Sequence, residues 1–193
     1  MDPRKQRSRE RLYAAALELA AEHAISELSV TQLADAAGVH RSTFYEHADS
    51  PGSLVESALT AELDDLRAAL MTDRSDAATA LVTVTRGVLE HILRHADIYR
   101  RELSGGGGAL HAMLSRHFRG TTEALLERGR VELDVVVGGM PHADVADAAA
   151  RFLADGTVGL IDGWLRHPDP KVELFLRTYA ALLPDWWPHR PAV

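Results

Sequence analysis

Residues 29–48 read SVTQLADAAGVHRSTFYEHA, and the rest of the chain is best organised around them. Ser29 and Gln32 have the S-x-x-Q spacing in which the serine hydroxyl takes an orphan amide of the first helical turn and the glutamine reaches back. A helix therefore starts here. Val30, Leu33, Ala34 and Ala37 fall at i, i+3, i+4 and i+7, which gives that helix one apolar face about two turns long. Gly38 follows, where a helix end commonly needs a left-handed residue without a Cβ, and Val39 plugs the corner. A second short helix, roughly His40 to His47, has Phe44 as its single large inward anchor. Its remaining positions, His40, Arg41, Ser42, Thr43, Tyr45 and His47, carry donors of several kinds.

Two helices joined by a tight turn, the second rich in donors, make the pattern of a helix-turn-helix, whose second helix enters the major groove. The alternative is a solvated surface helix in an ordinary bundle, because Ser, Thr, Arg and His are common on exposed faces. On the DNA reading Arg41 reads guanine, since its planar fork fits two acceptors. Ser42 and Thr43 contact bases or phosphates, while Tyr45, His47 and Thr31 position phosphates and His40 joins the same donor row.

The flanks decide between the two. Arg9 to Glu22 (RERLYAAALELAAE), LSVTQLADAAGV from Leu28, STFYEH from Ser42 and a serine-started helix at Ser50 stand in an order and spacing that resembles the N-terminal domain of the TetR-like (tetracycline-repressor-like) family of transcriptional regulators. The likeness covers about the first 60 residues; beyond them it lies in the helical layout. It implies an all-α chain with residues 1–50 as the helix-turn-helix DNA-binding domain and 51–193 as a ligand-binding and dimerisation bundle. It also implies a double-stranded DNA operator, a small-molecule effector and a homodimer as partners. Three positions depart from the family pattern: Gly52 where a lysine is common, Ala48 where a phenylalanine usually follows the histidine, and Ala24 where a glycine usually ends the first helix. With Glu46, which adds negative charge to the second helix, they leave room for a rival: a helical dimer of this family that binds a ligand or partner protein but no DNA.

The composition is compatible with either. With 193 residues, 46% of them hydrophobic, the chain can build a substantial core. It has no cysteine, which excludes disulfides and thiolate metal sites and fits a reducing compartment. No apolar run reaches the roughly 18 residues that cross a membrane, and MDPRKQRSRERL lacks the apolar segment of a secretory signal. A cytoplasmic protein is expected, with no membrane partner. The net charge of −7 argues against a protein that coats nucleic acid without sequence preference. Arg4, Lys5, Arg7, Arg9 and Arg11 nevertheless stand against only Asp2 and Glu10, a local excess fit to neutralise phosphates beside a recognition helix, or simply a solubilising terminus.

Along the rest of the chain, Leu12, Ala16, Leu19 and His23 mark a first helix from Arg9 that supports the motif. Ser50 and Pro51 start a long helix running to about Met71, with Leu54, Ala58, Leu59, Leu63, Leu66 and Leu70 on its apolar side. The polar stretch Asp73 to Asp76 ends it. Asp76 to His95 is helical by Leu81, Val84, Val88 and Ile92, and Asp97 to Leu103 forms a short helix. His91 and His95 are four apart, so two imidazoles can share one face; no third ligand is evident, and the expectation is capping or exposed histidines, no metal and no cofactor. Ser104 to Gly108 holds four consecutive glycines and reads as a flexible connection rather than a phosphate loop. Leu110, Leu114, Phe118, Thr121 and Leu125 give another helix, and 130–142 is either locally extended at Val135–Val137 or a loop punctuated by Gly138, Gly139 and Pro141.

The last third carries two long helices. Ala149, Phe152, Gly156, Gly159, Leu160 and Gly163 lie on or near one side of the first, from about Ala143 to Arg166. Each helical glycine costs about 1 kcal/mol relative to alanine, so several together suggest a smooth surface for close helix approach. Asp169 and Pro170 start the second, whose apolar face is Val172, Phe175, Leu176, Tyr179, Leu182 and Leu183. The resemblance implies that these two helices form a four-helix dimer interface, with Phe152, Gly156, Gly159, Leu160, Gly163, Phe175, Leu176, Tyr179 and Leu183 in it; an intramolecular core would use the same spacing. It also implies a small-molecule pocket among the middle helices, at Val84, Val88, His91, Tyr99, Met113, His117, Phe118 and Trp164. For an enzyme there is no cysteine nucleophile, G-x-S-x-G turn, H-E-x-x-H helix or complete phosphate loop, and Asp155, Asp162 and His167 at seven- and five-residue steps are also what a solvated stripe gives. No enzymatic activity is expected.

Overall fold

The computed structural model of the chain describes residues 2–103 and 108–188 and is all-α in those residues. Residues 104–107, most of the glycine run read as a connection, lie outside them.

The first helix, α1 (Pro3–Glu22), begins six residues earlier than its apolar pattern suggests. Asp2 accepts from the Arg4 amide at 2.8 Å and Pro3 occupies the first helical position, where a missing amide costs nothing. The basic terminus is thus helical, with Arg4, Lys5, Arg7 and Arg11 exposed. The face that α1 buries is Leu12, Ala15, Ala16 and Ala20, whereas His23 caps its end. A 3-10 turn (Ile25–Glu27) leads to α2 (Val30–Ala37) and α3 (Arg41–Tyr45). The expected capping box is present: Gln32 N to Ser29 Oγ at 3.2 Å and Ser29 N to Gln32 Oε1 at 2.9 Å. Gly38 is left-handed at φ 60°, and its carbonyl accepts from Arg11 Nη2 at 2.9 Å.

Helix α4 (Pro51–Thr72) starts at the expected serine, with Ser53 N donating to Ser50 Oγ at 3.1 Å. Its first turns pack on α1 and the 3-10 turn, and its later turns on α5 (Ala77–Arg94) and α7 (Ala109–Glu127). Gly87 allows α5 to approach closely: a Cβ there would stand 2.9 Å from Leu66 Cδ2. Between α5 and α7 lies α6 (Ala96–Leu103), which touches α1, α7 and α8 (His142–Leu165). Helices α7 and α8 pair extensively, and α9 (Val172–Leu182) leans on α5 and α8. It begins two residues after Pro170, with Lys171 as its cap, so Asp169 and Pro170 do not start it as expected.

One core runs from the first three helices through α4 to α8 and α9, with Leu12, Leu33, Phe44, Leu54, Leu59 and Leu63 fully buried. Burial of each such side chain stabilises the fold by about 1.5–3 kcal/mol. A second cluster gathers Leu70, Leu81, Leu125, Val131, Leu153 and Trp187. Residues 130–141 contain no strand; they run as a loop tacked down by Val131 and Leu133, while Val136 is 89% exposed. No helix among the described residues is long and apolar enough to cross a membrane.

Candidate functional site

Leu33, Ala34 and Ala37 of α2 and Phe44 of α3 turn into the core, and Phe44 meets Tyr45 edge to face at 5.5 Å between ring centres. What faces outward is the donor row: Thr31, His40, Arg41, Ser42 and Tyr45 are exposed, and Thr43 is half-buried. Helix α3 is shorter than the stretch to His47, because after Tyr45 the backbone tightens, with His47 N donating to the Phe44 carbonyl at 2.9 Å. His47 sits apart from the row. Its Nε2 is 2.8 Å from Ser8 Oγ on α1, and burial there, reinforced by the nearby Lys5 charge, holds its imidazole below the ordinary histidine range. His47 therefore locks the motif to α1.

Helix α6 holds the turn that Ala24 leaves without a glycine. Arg101 donates from Nη1 to the Ala20 and His23 carbonyls at 2.8 and 2.7 Å and from Nη2 to Ala21 at 3.1 Å, and Glu102 accepts from the Ile25 amide at 3.2 Å. At the start of α4, Ser50 and Ser53 satisfy each other's amides, so those two donors are already engaged.

A second candidate site is a cavity of about 70 Å³ between α4, α5, α7, α8 and α9. A single water needs about 10–15 Å³, so several heavy atoms fit. Of the residues assigned to a pocket, Val84, Val88, His117 and Phe118 line it. His91, Tyr99, Met113 and Trp164 do not: Met113 packs under the α1–α4 side, Trp164 meets Phe175 edge to face with its Nε1 donating to the Lys171 carbonyl, and His91 and Tyr99 bond to each other. The wall is completed by Arg67, Thr85, Thr122, Thr157, Phe175, Tyr179 and Trp187, among others. Phe175 and Tyr179, which the resemblance assigns to a dimer interface, line this cavity within one chain: Phe175 is only 3% exposed and the Tyr179 hydroxyl bonds Thr157 Oγ1 at 2.9 Å. Burial lowers His117 to about 4, aided by the Arg67 charge and opposed by Asp64, so the cavity presents a neutral imidazole at pH 7.

The outer side of α8 is open. Phe152 is 74% exposed, Leu160 is half-buried, and a Cβ added at Gly156, Gly159 or Gly163 would meet nothing within 4 Å. Those glycines therefore approach no neighbour among the described residues. Leu174 and Leu182 of α9 are also exposed, at 53% and 67%, with Leu176 and Leu183 half-buried.

A third cluster escaped the sequence pattern. Glu62 of α4 places Oε2 3.0 Å from His91 Nδ1 and 3.2 Å from His95 Nε2, and Arg94 Nη1 donates to the same oxygen at 3.0 Å. Burial would raise the Glu62 pKa, but the bonds to His91 and His95 outweigh it and the net shift is downward.

This arrangement defines a helix-turn-helix protein whose remaining helices build a bundle around a cavity. Residues 12–58 match the family model described as bacterial regulatory proteins, tetR family. Among solved structures the chain is similar to a tetR-family transcriptional regulator from Streptomyces coelicolor, at 24% identity over 92% of this chain and 80% of that one, with a TM-score of 0.62. A TetR transcriptional regulator from Streptococcus agalactiae 2603V is 21% identical over 92% and 94% of the two chains, with a TM-score of 0.63. FadR of Thermus thermophilus, a TetR-family transcriptional repressor in complex with lauroyl-CoA, is 21% identical over 95% and 97%, with a TM-score of 0.58. No curated protein matches the chain. The chain carries the N-terminal domain of the TetR family and has the fold of TetR-family transcriptional regulators.

Proposed function

We propose that this TetR-like chain is a cytoplasmic repressor that binds a palindromic operator as a homodimer and is released by a small molecule. The observation that carries the reading is the division of labour in α2 and α3: every large apolar side chain but Tyr45 is turned inward, and a continuous row of donors is left outside. Arg41 reads a guanine edge, Ser42 and Thr43 meet bases or phosphates, and Thr31, His40 and Tyr45 fix the register on the backbone. Residues 1–50 act as the DNA-binding domain, and 51–193 sense the ligand and dimerise.

Two copies meet through the open side of α8, with Phe152, Gly156, Gly159, Leu160 and Gly163, and through Leu176 and Leu183 of α9. The glycines with no neighbour among the described residues support this assignment. The effector occupies the cavity at Val84, Val88, His117 and Phe118, and is a mostly apolar molecule with one or two hydrogen-bonding groups. Helix α4 supplies the coupling, because Leu54 packs in the core shared with the motif while Arg67 and Leu70 line the cavity. A ligand that prefers one setting of α4 lowers operator affinity by that same preference. That FadR, of the same fold, is in complex with lauroyl-CoA supports a ligand role for the bundle.

The test is selection of bound fragments from a pool of random duplexes at low salt. Recovery of a palindrome is expected. Recovery of no sequence would overturn the operator reading and favour a dimer that binds a ligand or partner protein without DNA.

A further inference from the structure

We propose that Glu62, His91 and His95 form a three-ligand site for a first-row divalent transition-metal ion, zinc above all, which fastens α4 to the end of α5. The cluster is set by two helices rather than by chance surface proximity. His91 lies in the last turn of α5, His95 caps that helix one turn on, and Glu62 projects from the middle of α4 between them. The three donor atoms lie within 4.8 Å of one another, and the two nitrogen–oxygen separations are 3.0 and 3.2 Å. Ligand atoms held about 2.1 Å from one ion stand roughly 3.0–3.4 Å apart at octahedral or tetrahedral angles, so the side chains need only small rotations to close on a cation.

The donor set selects the metal class. Two imidazoles and one carboxylate suit zinc, cobalt or nickel, whereas magnesium and calcium call for oxygen donors throughout. A support for the buried ligand is also in place. When His91 coordinates through Nδ1, its Nε2 carries the ring proton, and the Tyr99 hydroxyl oxygen 2.8 Å away accepts it; such a partner fixes both tautomer and ring orientation. His91 is 1% exposed and cannot swing out, while Glu62 and His95 keep 35% and 12% of their side chains exposed and open a path to solvent. Arg94, whose guanidinium bonds Glu62 Oε2, is 64% exposed and free to turn into water when an ion takes its place. Three protein ligands leave the remaining coordination positions to water or to a bound small molecule.

The location gives such an ion structural leverage. Through Tyr99 the cluster reaches α6, whose Arg101 and Glu102 hold the turn after α1, so an ion here ties α5 to α4 and α6, the two helices that pack on α1.

Cobalt is the probe, because its visible absorption reports coordination by imidazole and carboxylate directly. Tag-free protein titrated with Co²⁺ is expected to show ligand-field absorption that saturates at one ion per chain and is displaced by Zn²⁺. His95→Ala and Glu62→Gln, both at partly exposed positions and checked for helix content by circular dichroism, are expected to weaken binding at least 10- to 100-fold, since even an outer-shell partner has an effect of that size. Absence of saturable Co²⁺ binding to the wild-type chain overturns the proposal. So does binding that both folded variants retain at wild-type affinity, which would place the ion on other histidines.

Discussion

At the scale of single residues, Arg41 and His117 carry the sharpest expectations. Arg41 is exposed at the start of α3, and its guanidinium matches the two acceptors on a guanine edge. Arg41→Ala should weaken operator binding by about 1–3 kcal/mol and relax preference at one base position, read by fluorescence anisotropy on duplexes varied at each position. Unchanged affinity and preference would remove Arg41 from that role. His117 is held near 4 by burial, against 6.5 for a free imidazole. The unfolded chain therefore binds the extra proton first: the native state has its full stability above about pH 6.5 and loses it as pH falls toward 4. Between pH 7 and pH 5 the wild-type chain should lose about 2 kcal/mol more than His117→Gln in urea unfolding. Parallel profiles would contradict the buried neutral imidazole. Single residues were also where the sequence was least legible. Helical spacing marks Val84, Val88, Phe175 and Tyr179 alike only as apolar, and which side of a bundle such a face meets is a tertiary matter. Glu62 carries no such signal: the apolar period of α4 runs through its leucines, and a third ligand contributed by another helix leaves no spacing signature.

Among the elements, those with local chemistry were legible and those held by distant partners were not. The Ser29–Gln32 box, Gly38 and the Ser50–Pro51 start all stand as read, because each is decided within four residues. Asp2–Pro3 is the same cap-and-proline signal as Ser50–Pro51, yet the charge run after it hides the helix, whose apolar period begins only after Arg9. The turn after α1 is a different matter: its closing partner, Arg101, is 78 residues from His23, and nothing near Ala24 announces it. Arg101→Ala should destabilise the chain by about 1–3 kcal/mol through the loss of charge-assisted bonds to three carbonyls. The loss should appear locally as faster amide hydrogen exchange from Glu22 to Leu28. Exchange in that segment equal to wild type would show that the turn holds without α6. Residues 130–142 had two readings, and the loop prevails because Val135, Val136 and Val137 find no strand partner and only Val131 and Leu133 reach the core.

For the molecule as a whole, the proposed function needs two copies acting together. The open side of α8 is apolar at Phe152 and featureless at three glycines, a surface that two helices can share at short distance. Phe152→Glu should leave helix content intact, because the side chain is solvent-exposed within one chain, and should shift the mass measured by light scattering from two chains to one. A variant that remains dimeric would move the interface elsewhere. In the proposed dimer the two α3 helices stand about 34–36 Å apart, one turn of duplex, so that both enter the major groove on the same side. The most direct test of that arrangement starts from the palindrome recovered by selection and inserts half a helical turn, about five base pairs, between its half-sites. The account predicts that affinity falls to that of a single half-site, because the second α3 then faces the wrong side of the duplex. Equal affinity for the original and the expanded duplex would contradict it, since a protein indifferent to half-site spacing does not read DNA through two rigidly paired helices.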